Sequence, residues 1–236
     1  MNVALIIAGG SGTRMHQDIP KQFLNVYDKP VIIYTLEAFQ KHPDIDAIEV
    51  VCLDGWHEIL WAYAKQFNIS KLKWVISGGE NGQASARNGV FNLRDECSAE
   101  DLIVIHDGIR PLVRTDIISD CIAKSKIYGS AVAAISCQET IIKTEDKISG
   151  KESIPRNSIM RVQTPQAYKF SKILWGHEEA LRRGITESVY ANTMLVELGE
   201  EIYFSVGSDK NIKITCVEDL ELFKALLSVN NESWIK

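Results

Sequence analysis

The chain has no apolar run approaching the ~20 residues that a membrane-spanning helix requires, and it has no repeat or low-complexity tract. Its opening apolar run, Val3 to Ala8, is too short for a signal peptide and has no basic flank before it. No membrane partner is expected, and a cytoplasmic location is. Basic charge is scarce as well: 26 Lys and Arg stand against 31 Asp and Glu, a formal net charge of −5. A surface that holds long nucleic acid needs a basic stripe, so no nucleic-acid partner is expected. A few local cations can still bind a small anion, because near charges outweigh net charge. There is no Cys-x-x-Cys pair. The five cysteines (52, 97, 121, 137 and 216) are odd in number, and several lie inside apolar runs such as Val51-Cys52-Leu53. That pattern reads as reduced core thiols in a reducing compartment, not as a disulfide framework.

What is present is an ordinary globular composition, 45% apolar and 24% charged over 236 residues. It suits one well-filled core, so residues 1–236 are read as a single domain. Apolar runs alternate with helix-period segments. Strands are expected at Val3–Ala8, Ile48–Leu53, Trp74–Ile76, Leu102–Ile105 and Ala131–Ile135. Helices are expected at Pro30–His42, Trp56–Phe67, Ala84–Arg94 and Thr115–Ile127. In the second helix Ile59, Leu60, Tyr63 and Phe67 share a face; in the fourth, Ile117, Ile118, Cys121 and Ile122 point inward. Such alternation implies an α/β fold: a Rossmann-like, mainly parallel sheet flanked by helices. Ligands of such sheets bind beyond the carboxyl ends of the strands. The loops after Ala8, Ile76 and Ile105 should therefore converge on one edge.

The alternation breaks near Gln138. Thr140–Thr144 and Ile159–Val162 read as short strands around a polar stretch, a projecting β-hairpin arm over 138–163. Helix resumes near Ser171. Glu201–Val206 and Ile212–Thr215 have strand character, Val217–Ser228 reads as a closing helix, and the last few residues as frayed.

The first strand opens into Ala8-Gly9-Gly10-Ser11-Gly12-Thr13-Arg14-Met15. Glycines let backbone N–H groups approach phosphate oxygens without Cβ interference. The dinucleotide fingerprint needs a third glycine where Met15 stands, and the P-loop needs Gly-Lys-Ser/Thr, which the chain lacks. Arg14 lies in the loop, and Pro20-Lys21-Gln22 follows it, with Pro20 restricting the backbone before Lys21. Two cations at this spacing can flank a triphosphate, whose transfer chemistry depends on positioning and charge neutralisation. A lone surface Lys would be a solvated charge. The glycine loop, Arg14 and Lys21 together favour the functional reading.

Gly-Gly-Ser-Gly-Thr-Arg-Met with Pro-Lys-Gln-Phe resembles the start of the nucleotide-diphospho-sugar transferase superfamily. His106-Asp107-Gly108-Ile109-Arg110-Pro111, Thr164-Pro165-Gln166 and Asn211-Ile212-Lys213-Ile214-Thr215 narrow the resemblance. Together they resemble the 2-C-methyl-D-erythritol 4-phosphate and ribitol-5-phosphate cytidylyltransferases across nearly the whole chain. The resemblance implies transfer of CMP from CTP to a small polyol phosphate, with release of pyrophosphate and use of Mg²⁺ or another divalent cation. It implies that Arg14, Lys21 and Lys213 grip the triphosphate and stabilise the reacting phosphorus. Ala8, Gly9, Gly10, Gly12, Thr13, Gly79, Ser85 and Gly108 would bind the nucleotide. Asp107 would hold the metal, with Asp209 as a second candidate ligand. Thr140, Arg156, Arg110 and Thr164 would bind the acceptor, Thr140 and Arg156 from an arm that crosses to a second subunit of a homodimer.

Read on their own, His106 is a packed structural histidine, since neighbouring strand residues face opposite sides. Arg110 could touch substrate or pair with a nearby carboxylate, and both readings stay open. The tryptophans at 56, 61 and 74 suit packing better than base stacking. Three positions depart from the family pattern. Gly82 stands where relatives carry Arg, Thr186-Glu187 replaces Thr-Asp, and Lys210 precedes Asn211 with Asp209 one place earlier. Two further readings are weighed: a sugar-1-phosphate nucleotidyltransferase using another nucleotide, and a non-catalytic nucleotide-binding relative. A nucleotide panel separates the first, and CTP binding without pyrophosphate release would identify the second.

Overall fold

The computed structural model describes residues 1–10 and 19–229. Arg14, Gly12 and Thr13 lie outside the described residues, as does the chain after Val229. In chain order the elements are β1 (Asn2–Ala8), β2 (Asn25–Val26), β3 (Lys29–Pro30), α1 (Val31–Lys41), β4 (Ala47–Cys52), α2 (His57–Gln66), β5 (Leu72–Ser77) and α3 (Gly82–Asn92). They continue as β6 (Leu102–Asp107), α4 (Thr115–Tyr128), β7 (Ser130–Ser136), β8 (Ile141–Lys143), β9 (Glu152–Ile154), β10 (Met160–Lys169), α5 (Phe170–Arg183), α6 (Ala191–Glu197), β11 (Phe204–Val206) and α7 (Val217–Val229).

Seven strands form one sheet in the order β11-β7-β10-β6-β1-β4-β5. β10 is antiparallel to both its neighbours, and the other strand pairs are parallel. The period-2 alternation of β1 divides the core. Ala4, Ile6 and Ala8 face one cluster with Leu36 of α1, Leu60 of α2 and Ile117 of α4. Val3 and Leu5 face a second cluster with Val90 of α3, Ile173 of α5 and Leu195 of α6. A smaller cluster, including Val26, Ile109, Ile214 and Phe223, seats α7 beside the β2–β3 hairpin. Residues buried on both faces explain why β1 and β6 read as near-continuous apolar runs, and β4 does so apart from Glu49. Gly89 lets α3 lie close on the sheet, since a Cβ there would meet Leu5 Cδ1 at 2.5 Å.

Four expectations need correction. In α2 the buried residues are Leu60 and Ala64, while Ile59 is exposed. The arm hairpin is made by β8 and β9, with Ile141 opposite Ile154, rather than by Ile159–Val162. Asp146 accepts from the Ile148 and Ser149 amides, both at 2.9 Å, and so turns the chain early. Residues 160–162 instead begin β10, where Met160 opposes Ser136 in the main sheet. The β7–β10 register shifts between Val162 and Gln166, around Pro165, which has no N–H for the ladder. The expected strand at Glu201–Val206 is only its last three residues. Finally, Ile212–Thr215 is not a strand. Ile214 N–H donates to the Ile109 carbonyl at 2.9 Å, and Asp219 takes the Thr215 and Cys216 amides to start α7.

Candidate active site

At the carboxyl edge of the sheet a pocket of about 420 Å³ collects Ala8 at the end of β1, Gly9 and Gly10 after it, Gly79 after β5, and Asp107 at the end of β6. The three loops expected to converge do so. Lys21, Ser85, Thr164, Gln166, Tyr190 and Lys213 complete the wall.

The backbone of this cradle is fixed by side chains. Gln22 is buried, and its Nε2 donates to the carbonyls of Ala8 at 2.8 Å and Gly10 at 3.0 Å. It holds the end of β1 open and presents the adjoining Lys21 to the pocket. On the opposite side, Gly79 N–H donates to Ser85 Oγ at 3.0 Å. A Cβ on Gly79 would sit 2.5 Å from Ala84 Cβ, so only glycine fits. Asn81 caps α3 by accepting from Ala84 N–H at 2.9 Å, which sets the first turn of that helix against the pocket. Gly82 has open space: the nearest atom to an added Cβ is Val189 O at 3.8 Å.

Asp107 is the electrostatic centre. Arg110 Nε donates to its Oδ2 at 2.9 Å, and Lys213 Nζ lies 3.2 Å from each of its oxygens. Burial pushes the Asp107 carboxyl up, but Lys213 and Arg110 more than offset this and hold it below the ordinary value. It is therefore ionised. Lys213 loses by burial and gains more from Asp107 and Tyr190, so its ammonium is stabilised. Behind this pair, Thr164 Oγ1 accepts from Asp107 N–H at 3.1 Å. Arg110 also donates to the Asn211 carbonyl at 2.7 Å, and Asn211 Nδ2 donates to the Thr164 carbonyl at 2.7 Å. This buried net locks the loop carrying Lys213 onto β6 and β10.

Arg110 is thus paired with a carboxylate and does not line the pocket. Gly108 also sits behind the wall. Its N–H donates to Ile7 carbonyl at 2.9 Å, and a Cβ would press on Ala8 Cβ at 3.1 Å, so glycine serves packing there. Asp209 is not at the pocket: its side chain is 80% exposed and faces Arg161. Thr140 and Arg156 are exposed on the arm and do not line the pocket of their own chain. His106 is fully buried, bonded to the Arg110 carbonyl at 3.2 Å and packed on Phe39, with burial driving its pKa down to about 4. It is neutral and held in place, as the structural reading expects. Gln22 and Tyr190 carry site geometry that the sequence did not single out. Gln22 had a signal in its place beside Lys21, and Tyr190 had none.

The model of the family described as IspD, 2-C-methyl-D-erythritol 4-phosphate cytidylyltransferase, matches residues 2–229. A ribitol-5-phosphate cytidylyltransferase of Lacticaseibacillus paracasei is 49% identical over 229 residues, which cover 96% of this chain and 98% of that one. A 2-C-methyl-D-erythritol 4-phosphate cytidylyltransferase of Clostridium novyi is 36% identical over 229 residues, 96% of each chain. The crystal structure of 2-C-methyl-D-erythritol 4-phosphate cytidylyltransferase from Thermus thermophilus matches with a TM-score of 0.77 at 26% identity, covering 97% of this chain and all of that one.

Proposed function

This chain belongs to the IspD cytidylyltransferase family, and from that premise we propose that the polyol phosphate it couples to CTP is ribitol 5-phosphate. It is a CTP-dependent cytidylyltransferase that acts on a polyol phosphate. The choice of acceptor rests on one observation: identity is 49% to a ribitol-5-phosphate enzyme and 36% to a methylerythritol-phosphate enzyme over the same length.

In this reading the nucleoside lies along Ala8, Gly9, Gly10, Gly79 and Ser85, which line the pocket. Lys21 and Lys213 flank the triphosphate from the two ends of the chain, with Arg14 as their partner in the glycine loop. An oxygen of the acceptor's phosphate attacks the α-phosphorus of CTP. The new P–O bond forms as the bond to the β-phosphate oxygen breaks, and pyrophosphate leaves with that electron pair. A phosphate dianion carries its own lone pairs and needs no base. The burial and low basicity of His106 agree with this. The cations offset charge that grows on the equatorial and leaving oxygens, and removing one such contact typically costs ~10²–10³ in rate.

The donor chemistry also suits a magnesium ion. Asp107 is ionised, offers hard oxygens and lies on the pocket wall, and this metal often takes only one or two carboxylates beside substrate phosphates. Asp107 would hold it, and the ion would neutralise phosphate charge there. Thr164 lines the pocket and also fixes the backbone of Asp107. Thr140 and Arg156 would reach an acceptor only from the arm of a second copy, so a homodimer is part of the proposal. Among the described residues no helix is long and apolar enough to cross a membrane.

The acceptor is tested by competition. Equimolar ribitol 5-phosphate and methylerythritol 4-phosphate are offered with CTP and Mg²⁺, and the products are weighed by mass spectrometry. CDP-ribitol in large excess is expected; a CDP-methylerythritol majority would overturn the assignment.

A further inference from the structure

Lys213 leaves an irregular segment, so its own backbone does not dictate where its flexible four-carbon stem points. Tyr190 does. The Lys213 ammonium donates to the Tyr190 hydroxyl at 2.8 Å and lies 4.9 Å from the ring centroid, within cation–π range. The same hydroxyl stands 3.5 Å from Asp107 Oδ2.

Tyr190 is itself firmly held. Its N–H donates to Thr193 Oγ1 at 3.0 Å, and that hydroxyl donates back to the Tyr190 carbonyl at 2.8 Å. Two residues on, Asn192 is joined to β10: Gln166 Nε2 donates to Asn192 Oδ1 at 3.0 Å, and Asn192 N–H donates to Gln166 Oε1 at 3.3 Å. Tyr168 donates to that same Oε1 at 2.8 Å. These amides are buried, and a buried network with its partners in place resists displacement. The Tyr190 backbone is thereby held, and the Lys213 side chain bonds to its hydroxyl.

We propose that Tyr190 is a positioning residue, whose hydroxyl keeps the Lys213 ammonium over the pocket while Lys213 exchanges its Asp107 contact for nucleotide phosphate. The inference rests on the reading of Lys213 as a phosphate contact. In this structure the ammonium faces both Asp107 oxygens. A triphosphate brings more negative charge than one carboxylate and draws the ammonium away from it. The Tyr190 hydroxyl accepts from the ammonium on a side of its own, apart from the Asp107 oxygens. Because an ammonium has three N–H donors, the bond to Tyr190 can persist while the others change partner. The ring face beneath the stem limits the directions in which the freed ammonium can swing.

Tyr190→Phe removes the hydroxyl alone, leaving the ring and both Thr193 bonds. It is expected to lower kcat about tenfold, the usual scale for a hydrogen bond to a charged group. The melting temperature and the KM for acceptor should stay at wild-type values. A merely structural tyrosine would move the melting temperature instead. On a Lys213→Ala background the substitution should cost nothing further, because residues acting as a unit are not additive. Wild-type kcat in Tyr190→Phe, or the same fold loss on the Lys213→Ala background, overturns the proposal. Wild-type turnover in Lys213→Ala alone would instead remove the phosphate role of Lys213, and Tyr190's role with it. The two failures are thereby told apart.

Discussion

Glu49 sits in the middle of β4, fully buried, with Asn92 Nδ2 donating to its Oε1 at 2.9 Å and no partner on Oε2. Burial raises its pKa from 4.5 to about 8, against a smaller lowering by Asn92. The folded chain therefore binds this proton more tightly than the unfolded chain. The stabilising contribution is full below pH 4.5 and is lost as pH rises towards 8. Chemical denaturation at steps between about pH 5 and 9 should show that decline, and Glu49→Gln should flatten it. An unchanged slope in the variant would place the pH dependence elsewhere. At this scale legibility was uneven. Lys21 and Asp107 could be picked out from the glycine-rich loop before the one and the strand end at the other, while Lys213 was named through the family resemblance that Asn211–Thr215 carries. Gln22 had only its place beside Lys21 as a signal and Tyr190 had none, since their value lies in which carbonyl or ammonium faces them. Arg110 was open from sequence, and only the 2.9 Å approach to Asp107 decides its partner.

Among the elements, the arm is the one whose surface calls for a second chain. β8 and β9 pair only with each other, and Ile142 and Ile148 are 51% and 91% exposed. A two-stranded hairpin is marginal alone in water, so packing against another surface would stabilise it. Light scattering at micromolar concentration should give twice the chain mass, and a chain with the arm cut back to a short turn should give a monomer. A monomeric intact chain would count against the arm as a dimer contact. Most helices and parallel strands were legible to within a few residues from apolar spacing, but the face of α2 was misread at Ile59 and α6 was not read at all. The arm strands were misplaced because Ile141–Lys143 could pair with either of two later segments. The early turn made by Asp146, whose carboxylate gathers two neighbouring amides, decided between them. The segment 212–215 read as a strand from its β-branched residues. A tertiary bond to Ile109 and the local helix start made by Asp219 override that propensity.

At the scale of the molecule, a net-acidic chain places two cations and one buried carboxylate at a single sheet edge. Three ordered strand ends, β1, β5 and β6, bring them there, and that convergence follows from topology rather than from any one motif. The acceptor is less legible, because in this reading its site is completed by residues on another copy. The central claim is cytidylyl transfer in this pocket. It is tested most directly by measuring pyrophosphate release from CTP, UTP, ATP, GTP and dTTP, each with Mg²⁺ and ribitol 5-phosphate. Release with CTP alone, and only when the acceptor is present, is the expected result. Release that is greater with UTP or dTTP, or CTP binding with no release for any polyol phosphate, would contradict it.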